Sequence, residues 1–234
     1  MSRLVTTQVV QHRLVEIQQK IEAACKRAGR NSEEVKIVAV TKYVDTDAIG
    51  EILRAGVTHI GENKVQDALP KYEVFGGEGV WHFIGHLQTN KVKDVVGRFA
   101  YIHSLDRLSL AQEINKRAEA LGIQVNCFLQ INISGEDTKF GLNPNDVLAF
   151  VQETSNMKHI RITGLMTMAP AVDNPEEARP VFRGLKEWQE RLQALQLPNV
   201  TVEELSMGMS GDFEVAIEEG ATFVRLGSVL VRPE

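Results

Sequence analysis

The sequence predicts an α/β chain folded as a single (β/α)8 TIM barrel with an extra N-terminal helix. Eight short apolar runs alternate with helix-like segments along the 234 residues, and strict alternation of strand and helix demands a parallel sheet. Eight such units in about 200 residues suit a closed barrel. The run at 35–42, Val-Lys-Ile-Val-Ala-Val-Thr-Lys, has the unbroken β-branched centre of a strand covered on both faces. An open doubly wound sheet is the competing arrangement, one miscounted strand away. No internal repeat, low-complexity segment or linker divides the sequence, so residues 1–234 are expected to form one domain.

Ahead of the first strand, Val10, Leu14, Ile17, Ile21, Ala24 and Ala28 recur at intervals of three and four, the stripe of an amphipathic helix that Gly29 stops. Asn31 to Glu34 connect it to the first strand. The segment 46–55 reads as a helix through Ile49, Ile52 and Leu53, closed by Gly56. A second strand at 59–61 leads into a helix at 65–72 that Pro70 is expected to break. Gly76, Gly77 and Gly79 mark the loop before a third strand at 80–84. The segment 91–96 is helical, and a fourth strand at 101–103 ends at Ser104. Leu108, Ala111, Ile114, Ala118 and Leu121 share one face of a helix at 107–121, with Asp106 as its N-cap and Gly122 beyond its end. The fifth strand spans 125–133. Asn143-Pro144 opens a helix through Val147, Leu148, Phe150 and Val151, since proline suits a first helical position. After a sixth strand at 160–166, a helix runs to about Leu195 with Phe182, Leu185, Trp188, Leu192 and Leu195 inward, and Pro180 is expected to bend or delay its start. A strand at 202–206, a helix at 212–219 and a strand at 223–226 complete the set.

Composition narrows the function. With 43% apolar residues the chain can bury one large core. A net charge of -5, from 31 acidic and 26 basic residues, supplies no overall basic field, so nucleic acid is not an expected partner. Cys25 and Cys127 are too few for a disulfide framework and lack metal-ligand spacing, which points to a reducing compartment. No apolar run reaches membrane-spanning length and no signal core opens the sequence, so a cytoplasmic monomer without a membrane partner is expected.

In a barrel, chemistry lies at the carboxyl ends of the strands. The first strand ends in Lys42, and lysine is the side chain that becomes an imine-forming amine when desolvated; a lysine merely reaching solvent from a strand end is the plainer reading of that stretch alone. The seventh and eighth end in Ser206-Met207-Gly208-Met209-Ser210 and Arg225-Leu226-Gly227-Ser228, followed by a helix start at Gly211-Asp212. Small residues in that pair of loops are how such barrels build a phosphate site. A lysine opposite a phosphate site suggests a phosphorylated aldehyde. Pyridoxal 5′-phosphate fits, held by Lys42 as a Schiff base with Arg225 near its ring or phosphate; a Schiff-base aldolase acting on a sugar phosphate fits as well. His59, His82, His86 and His103, on or near the second to fourth strands, raise a metal barrel as a rival, but no His-x-His pair closes the first strand. They read better as hydrogen-bonded core or rim residues.

Ala39-Val40-Thr41-Lys42, Gly61-Glu62-Asn63-Lys64-Val65-Gln66, the stretch Trp81 to Lys91 and Leu205 to Ser210 resemble the pyridoxal phosphate homeostasis protein family, the YggS/PROSC proteins. Arg225-Leu226-Gly227-Ser228 is similar to its closing motif, and the resemblance runs in order through Asn132, Lys139-Phe140-Gly141 and Gly164-Leu165-Met166. It implies a barrel like the N-terminal domain of alanine racemase. It further implies pyridoxal phosphate linked to Lys42, phosphate contacts near Ser210, Gly227 and Ser228, an arginine at Arg225 facing the cofactor, and no established enzymatic activity. Where the family usually continues into a Phe-Gly pair, Val229-Leu230-Val231-Arg232 stands here, which leaves the packing of the last turn open.

Asn63, His82, Gln88 and Asn90 are candidates for the mouth of such a site, or for loop and helix caps, Asn90 as an N-cap in particular. Met166, Met207 and Met209 read as packing, with thioethers suited to lie beside a planar ring. Two function classes follow. One is a non-catalytic carrier that buffers or delivers the cofactor, with apo forms of pyridoxal phosphate enzymes as recipients. The other is an amino-acid racemase or decarboxylase, which needs a second acid–base group; Tyr43 is expected to point to the opposite side of the sheet, and with only eight residues after Leu226 no second domain is expected to supply one. The carrier is the favoured reading.

Overall fold

The computed structural model describes residues 5–136 and 139–232. Eight parallel strands close into a barrel in sequence order, so the closed arrangement holds and the open sheet does not. The strands are β1 (Lys36–Val40), β2 (His59–Glu62), β3 (Val80–Phe83), β4 (Tyr101–Leu105), β5 (Val125–Gln130), β6 (Ile160–Met166), β7 (Val200–Ser206) and β8 (Phe223–Leu226). The helices are α1 (Thr7–Ala28), α2 (Thr46–Arg54), α3 (Val65–Phe75), α4 (Val92–Val95), α5 (Leu108–Leu121), α6 (Val147–Thr154), α7 (Arg179–Ala194), α8 (Phe213–Glu218) and α9 (Ser228–Val231). Closure is made by β8 on β1, with Val38 beside Arg225 and Ala39 beside Leu226.

The extra helix α1 starts where the Thr6 hydroxyl accepts from the Val9 amide and ends at Gly29, whose φ of 65° lets its amide reach the Cys25 and Lys26 carbonyls. Its buried stripe of Val10, Ile17, Ile21 and Ala24 packs against α8, α2 and α9. Among the described residues no helix is long and apolar enough to cross a membrane. Both cysteines are free and buried.

Several boundaries differ from the sequence reading for identifiable reasons. Pro70 does not break its helix: α3 continues to Phe75, because Pro70 and Gln66, the residue whose carbonyl loses its amide partner, both lie on the exposed face while Val65, Ala68 and Lys71 stay buried. Pro180 sits in the first turn of α7, where proline is tolerated, and a 3-10 turn at Pro175–Ala178 precedes it. Asp106 does not cap α5; Arg107 occupies that place and Asp106 pairs with the Arg107 guanidinium at 2.6 Å. Asn90 lies within a 3-10 turn, Thr89–Lys91, and caps nothing. β5 stops at Gln130 because Asn132 takes over the chain, its side chain donating to the Glu136 carbonyl and accepting from Ser134 and Gly135. The last turn, left open by sequence, forms α9: Leu230 and Val231 are buried, and Arg13 of α1 donates to the Leu230 and Arg232 carbonyls at 3.2 and 2.6 Å.

Strand alternation divides the core. Ile60, Trp81, Ile102 and Leu129 belong to the large apolar cluster, whereas Val38, Phe128, Met166 and Phe223 form a separate small cluster with Tyr101 packed against it. His59, His82 and His103 pack among those aromatic rings, His103 stacked on Phe128 at 4.2 Å and His82 on Tyr101 at 4.7 Å. The barrel is thereby filled below its carboxyl mouth.

Candidate functional site

Above that filling, a cavity of about 740 Å³ opens at the carboxyl ends of the strands, a size ordinary for a small-molecule site. Of the residues singled out from sequence, Lys42, Asn63, Ser210, Arg225, Gly227 and Ser228 line it. Met166 does not. It is 1% exposed and packs with Val38, Phe128 and Phe223 beneath the cavity, although it is the last residue of β6. Met209 lines the wall instead, while Met207 is fully buried.

Lys42 lies two residues beyond β1, although the Thr41 amide still bonds to the Gly61 carbonyl at 3.0 Å and extends the pairing. Its neighbour is held from behind: Lys71 donates to the Thr41 carbonyl at 2.7 Å, and the Thr41 hydroxyl donates to Glu62. Lys71 and Glu62 are themselves paired at 2.7 Å and buried. Because the strand has ended, Tyr43 does not turn to the far side of the sheet. It is 88% exposed on the cavity rim, with the Lys42 Nζ 4.8 Å from its ring centroid.

Across the cavity stand the loops after β7 and β8. Gly208, at a φ of 88°, lets the first of them pass tightly over α8, where a Cβ would come within 2.6 Å of the Ala216 Cβ. Asp212 then accepts from the Met209 amide at 2.6 Å and folds the loop back on itself. Burial pushes the Asp212 carboxyl up, opposed by the Met209 amide and by Arg225. The Ser210 hydroxyl accepts from the Val229 amide at 3.4 Å and ties the two loops together. Among the described residues, the backbone amides of Ser210, Gly211, Gly227 and Ser228 find no acceptor in the chain. Four unpaired donors in two facing loops are a donor set for an anion.

The floor is Arg225, 4% exposed, donating to the Ser206 hydroxyl at 2.7 Å and the Thr167 carbonyl at 2.9 Å. Burial lowers its pKa to about 10, against the pull of Asp212, so it stays cationic at neutral pH. His82 and His103 are buried and hydrogen-bonded, His59 is half-buried and His86 stands on the rim, stacked on Phe140 at 4.2 Å. Gln88 and Asn90 do not reach the cavity. Sequence reading overlooked Gln130, Phe140 and Met168 in the lining and Thr167 behind Arg225. Gln130 was within reach of strand alternation, since Phe128 is inward and 130 follows two residues on.

The sequence matches the alanine racemase N-terminal domain family over residues 13–233. It is 45% identical over 219 residues to the pyridoxal phosphate homeostasis protein of Aquifex aeolicus (strain VF5), covering 93% of this chain and 95% of that one. The chain belongs to the pyridoxal phosphate homeostasis protein family. The member from Escherichia coli (strain K12) is 35% identical over 226 residues, 94% of this chain and 95% of that one. Among solved structures, PipY of Synechococcus elongatus PCC7942 with PLP bound superposes with a TM-score of 0.83 at 32% identity, covering 95% of this chain and 99% of that one. Alanine racemase from Clostridium difficile 630 shares the fold alone, at a TM-score of 0.76 and 16% identity, with 98% of this chain lying on 58% of that one. The family's closing motif is thus continued here by α9, whose Leu230 and Val231 supply the buried packing.

Proposed function

We propose that this chain binds pyridoxal 5′-phosphate through Lys42 and takes part in intracellular homeostasis of that cofactor by buffering or delivering it. The observation that carries the reading is the shared cavity: one amine, Lys42, faces an anion-type donor set in the loops after β7 and β8, above a cationic Arg225 floor. When bound, the cofactor would supply an aldehyde, and Lys42 would hold it through its amine. Ser210, Gly227 and Ser228 would hold its phosphate, Asn63 would line the side of the site, and Arg225 would disfavour protonation of a ring nitrogen facing it. The PLP bound by the related PipY supports this cofactor as the ligand.

The absence of turnover is part of the proposal. Racemisation or decarboxylation needs a second acid–base group positioned at the substrate carbon. Tyr43 is the phenol nearest Lys42 along the chain, but it is 88% exposed, and among the described residues its hydroxyl makes no hydrogen bond that would hold it in place. His86 stands on the exposed rim as well. Racemisation and decarboxylation across a panel of amino acids are therefore expected to be slow or absent, while cofactor-loaded protein restores activity to an apo-enzyme. Multiple turnover that disappears in Lys42→Ala would establish the enzyme reading in place of the carrier.

The donor set makes its own prediction. Ser210→Ala removes a hydroxyl from the anion cradle and the acceptor for Val229, and cofactor affinity is expected to fall by about 1 to 3 kcal/mol. Equilibrium dialysis with pyridoxal phosphate and pyridoxal compares the two directly. Equal affinity for the unphosphorylated form would refute a phosphate cradle in these loops.

A further inference from the structure

Behind Arg225 runs a hydrogen-bond column that touches neither Lys42 nor the cavity. His59 Nδ1 lies 2.9 Å from His82 Nε2, His82 Nδ1 lies 2.9 Å from His103 Nε2, and His103 Nδ1 lies 2.9 Å from the Ser206 hydroxyl, which accepts from Arg225 Nη1 at 2.7 Å. The column crosses the barrel interior from the first residue of β2, through β3 and β4, to the last residue of β7. His82, His103 and Ser206 are fully buried, and none of the four residues lines the cavity.

The direction of this column follows from counting protons. A guanidinium can only donate, so one lone pair of the Ser206 oxygen is committed to Arg225. If His103 Nδ1 also carried a proton and donated to Ser206, the buried serine hydrogen would be left without an acceptor, at a cost of about 1 to 3 kcal/mol. If Ser206 instead donates to His103 Nδ1, every group is satisfied: His103 donates through Nε2 to His82 Nδ1, and His82 donates through Nε2 to His59 Nδ1. That arrangement also turns the lone-pair end of each ring toward the Arg225 charge. Burial holds His82 and His103 well below their ordinary range, with neighbouring His59, Lys36 and Arg225 adding to the effect, so both rings are neutral and have one donor and one acceptor each. A donor chain of this kind polarises along its length, and a hydroxyl that donates is a better acceptor.

We propose that His103 and Ser206 are positioning residues for Arg225, and that His59, His82 and His103 form a one-way donor chain that keeps the Ser206 oxygen turned to the guanidinium. The functional part rests on the proposed cofactor site; the column itself does not. Thr167 fixes the second guanidinium nitrogen through its carbonyl, so together the two acceptors set the plane that Arg225 presents to the cavity. Of the other polar neighbours, Tyr101 stacks on His82 and Asp212 acts on Arg225, while at the far end Lys36 of β1 and Glu204 of β7 pair at 3.2 Å and act on His59.

Long-range proton–nitrogen correlation of the labelled, cofactor-free protein reads the tautomers. All three rings are expected to be neutral with the proton on Nε2. An Nδ1 proton or an imidazolium at His82 or His103 would overturn the column. The Arg225 guanidinium resonances are expected to be slowly exchanging in the wild type and fast in Ser206→Ala and His103→Phe. His103→Gln, which can accept from Ser206 and donate to His82, should restore them. Affinity for pyridoxal phosphate should fall about tenfold in the first two variants and recover in the third. Unchanged guanidinium exchange and affinity in His103→Phe would refute the positioning role. A wild type that binds no pyridoxal phosphate would strike the proposed function, and the tautomer and guanidinium readouts would still decide the column.

Discussion

Lys42→Ala is expected to lose reducible capture of pyridoxal phosphate altogether and to bind it at least about a hundredfold more weakly, roughly 2.7 kcal/mol or more. Lys42 follows β1 in a loop, half-buried on the cavity wall, and among the described residues no ion pair or ladder bond of the barrel depends on its amine. The fold should therefore persist, and circular dichroism should match the wild type. What remains is the donor set of the loops after β7 and β8, which can still hold the phosphate, so weak residual binding is expected rather than none. Absorbance titration separates the two contributions: the variant should keep the spectrum of the free aldehyde at saturating ligand. A variant that captured the cofactor with wild-type affinity would remove Lys42 from the site.

Lys71→Ala is expected to cost about 3 to 5 kcal/mol of stability, because it strands a buried carboxylate. Glu62 is fully buried at the end of β2, its Oε2 has no partner among the described residues, and its Oε1 is shared between Lys71 and the Thr41 hydroxyl. Glu62→Ala should destabilise comparably by leaving the ammonium buried, whereas the double change Glu62→Leu with Lys71→Met should be far milder, since well-packed apolar groups often replace a buried pair at little cost. Urea denaturation measures all three. The pair also anchors Thr41, the residue next to Lys42, so cofactor affinity should fall in the single variants at temperatures where they remain folded. Single variants as stable as the wild type would show that the pair is not needed to hold the end of β1.

The barrel was legible because its signals are local. Ile37 to Val40 read as a covered strand and became one, and the inward placement of Arg225 follows from the alternation Phe223, Arg225, Gly227 once β8 is located. That Lys42, Ser210, Gly227 and Ser228 share one cavity was legible because barrels place chemistry at known strand ends. What was not legible depends on contacts distant in sequence. Met166 has the right strand and the right face but the wrong height, a distinction set by strand stagger around the closed sheet. Tyr43 moved to the rim because β1 ended at Val40, a boundary two residues earlier than the apolar run with its flanks suggests. Pro70 survived inside α3 because exposure, which only packing determines, spares the carbonyl it orphans. The four histidines could be placed on or near strands, yet nothing in their spacing shows that three of them join in one column ending at Ser206, 103 residues from His103.

The most direct measurement of the central claim is peptide mapping of the wild-type protein reduced with borohydride in the presence of pyridoxal phosphate. The cofactor adduct is predicted on the peptide that contains Lys42, at one equivalent per chain, with loss of the absorbance of the reducible form. An adduct confined to Lys64 or Lys91, both outside the cavity lining, would contradict the account.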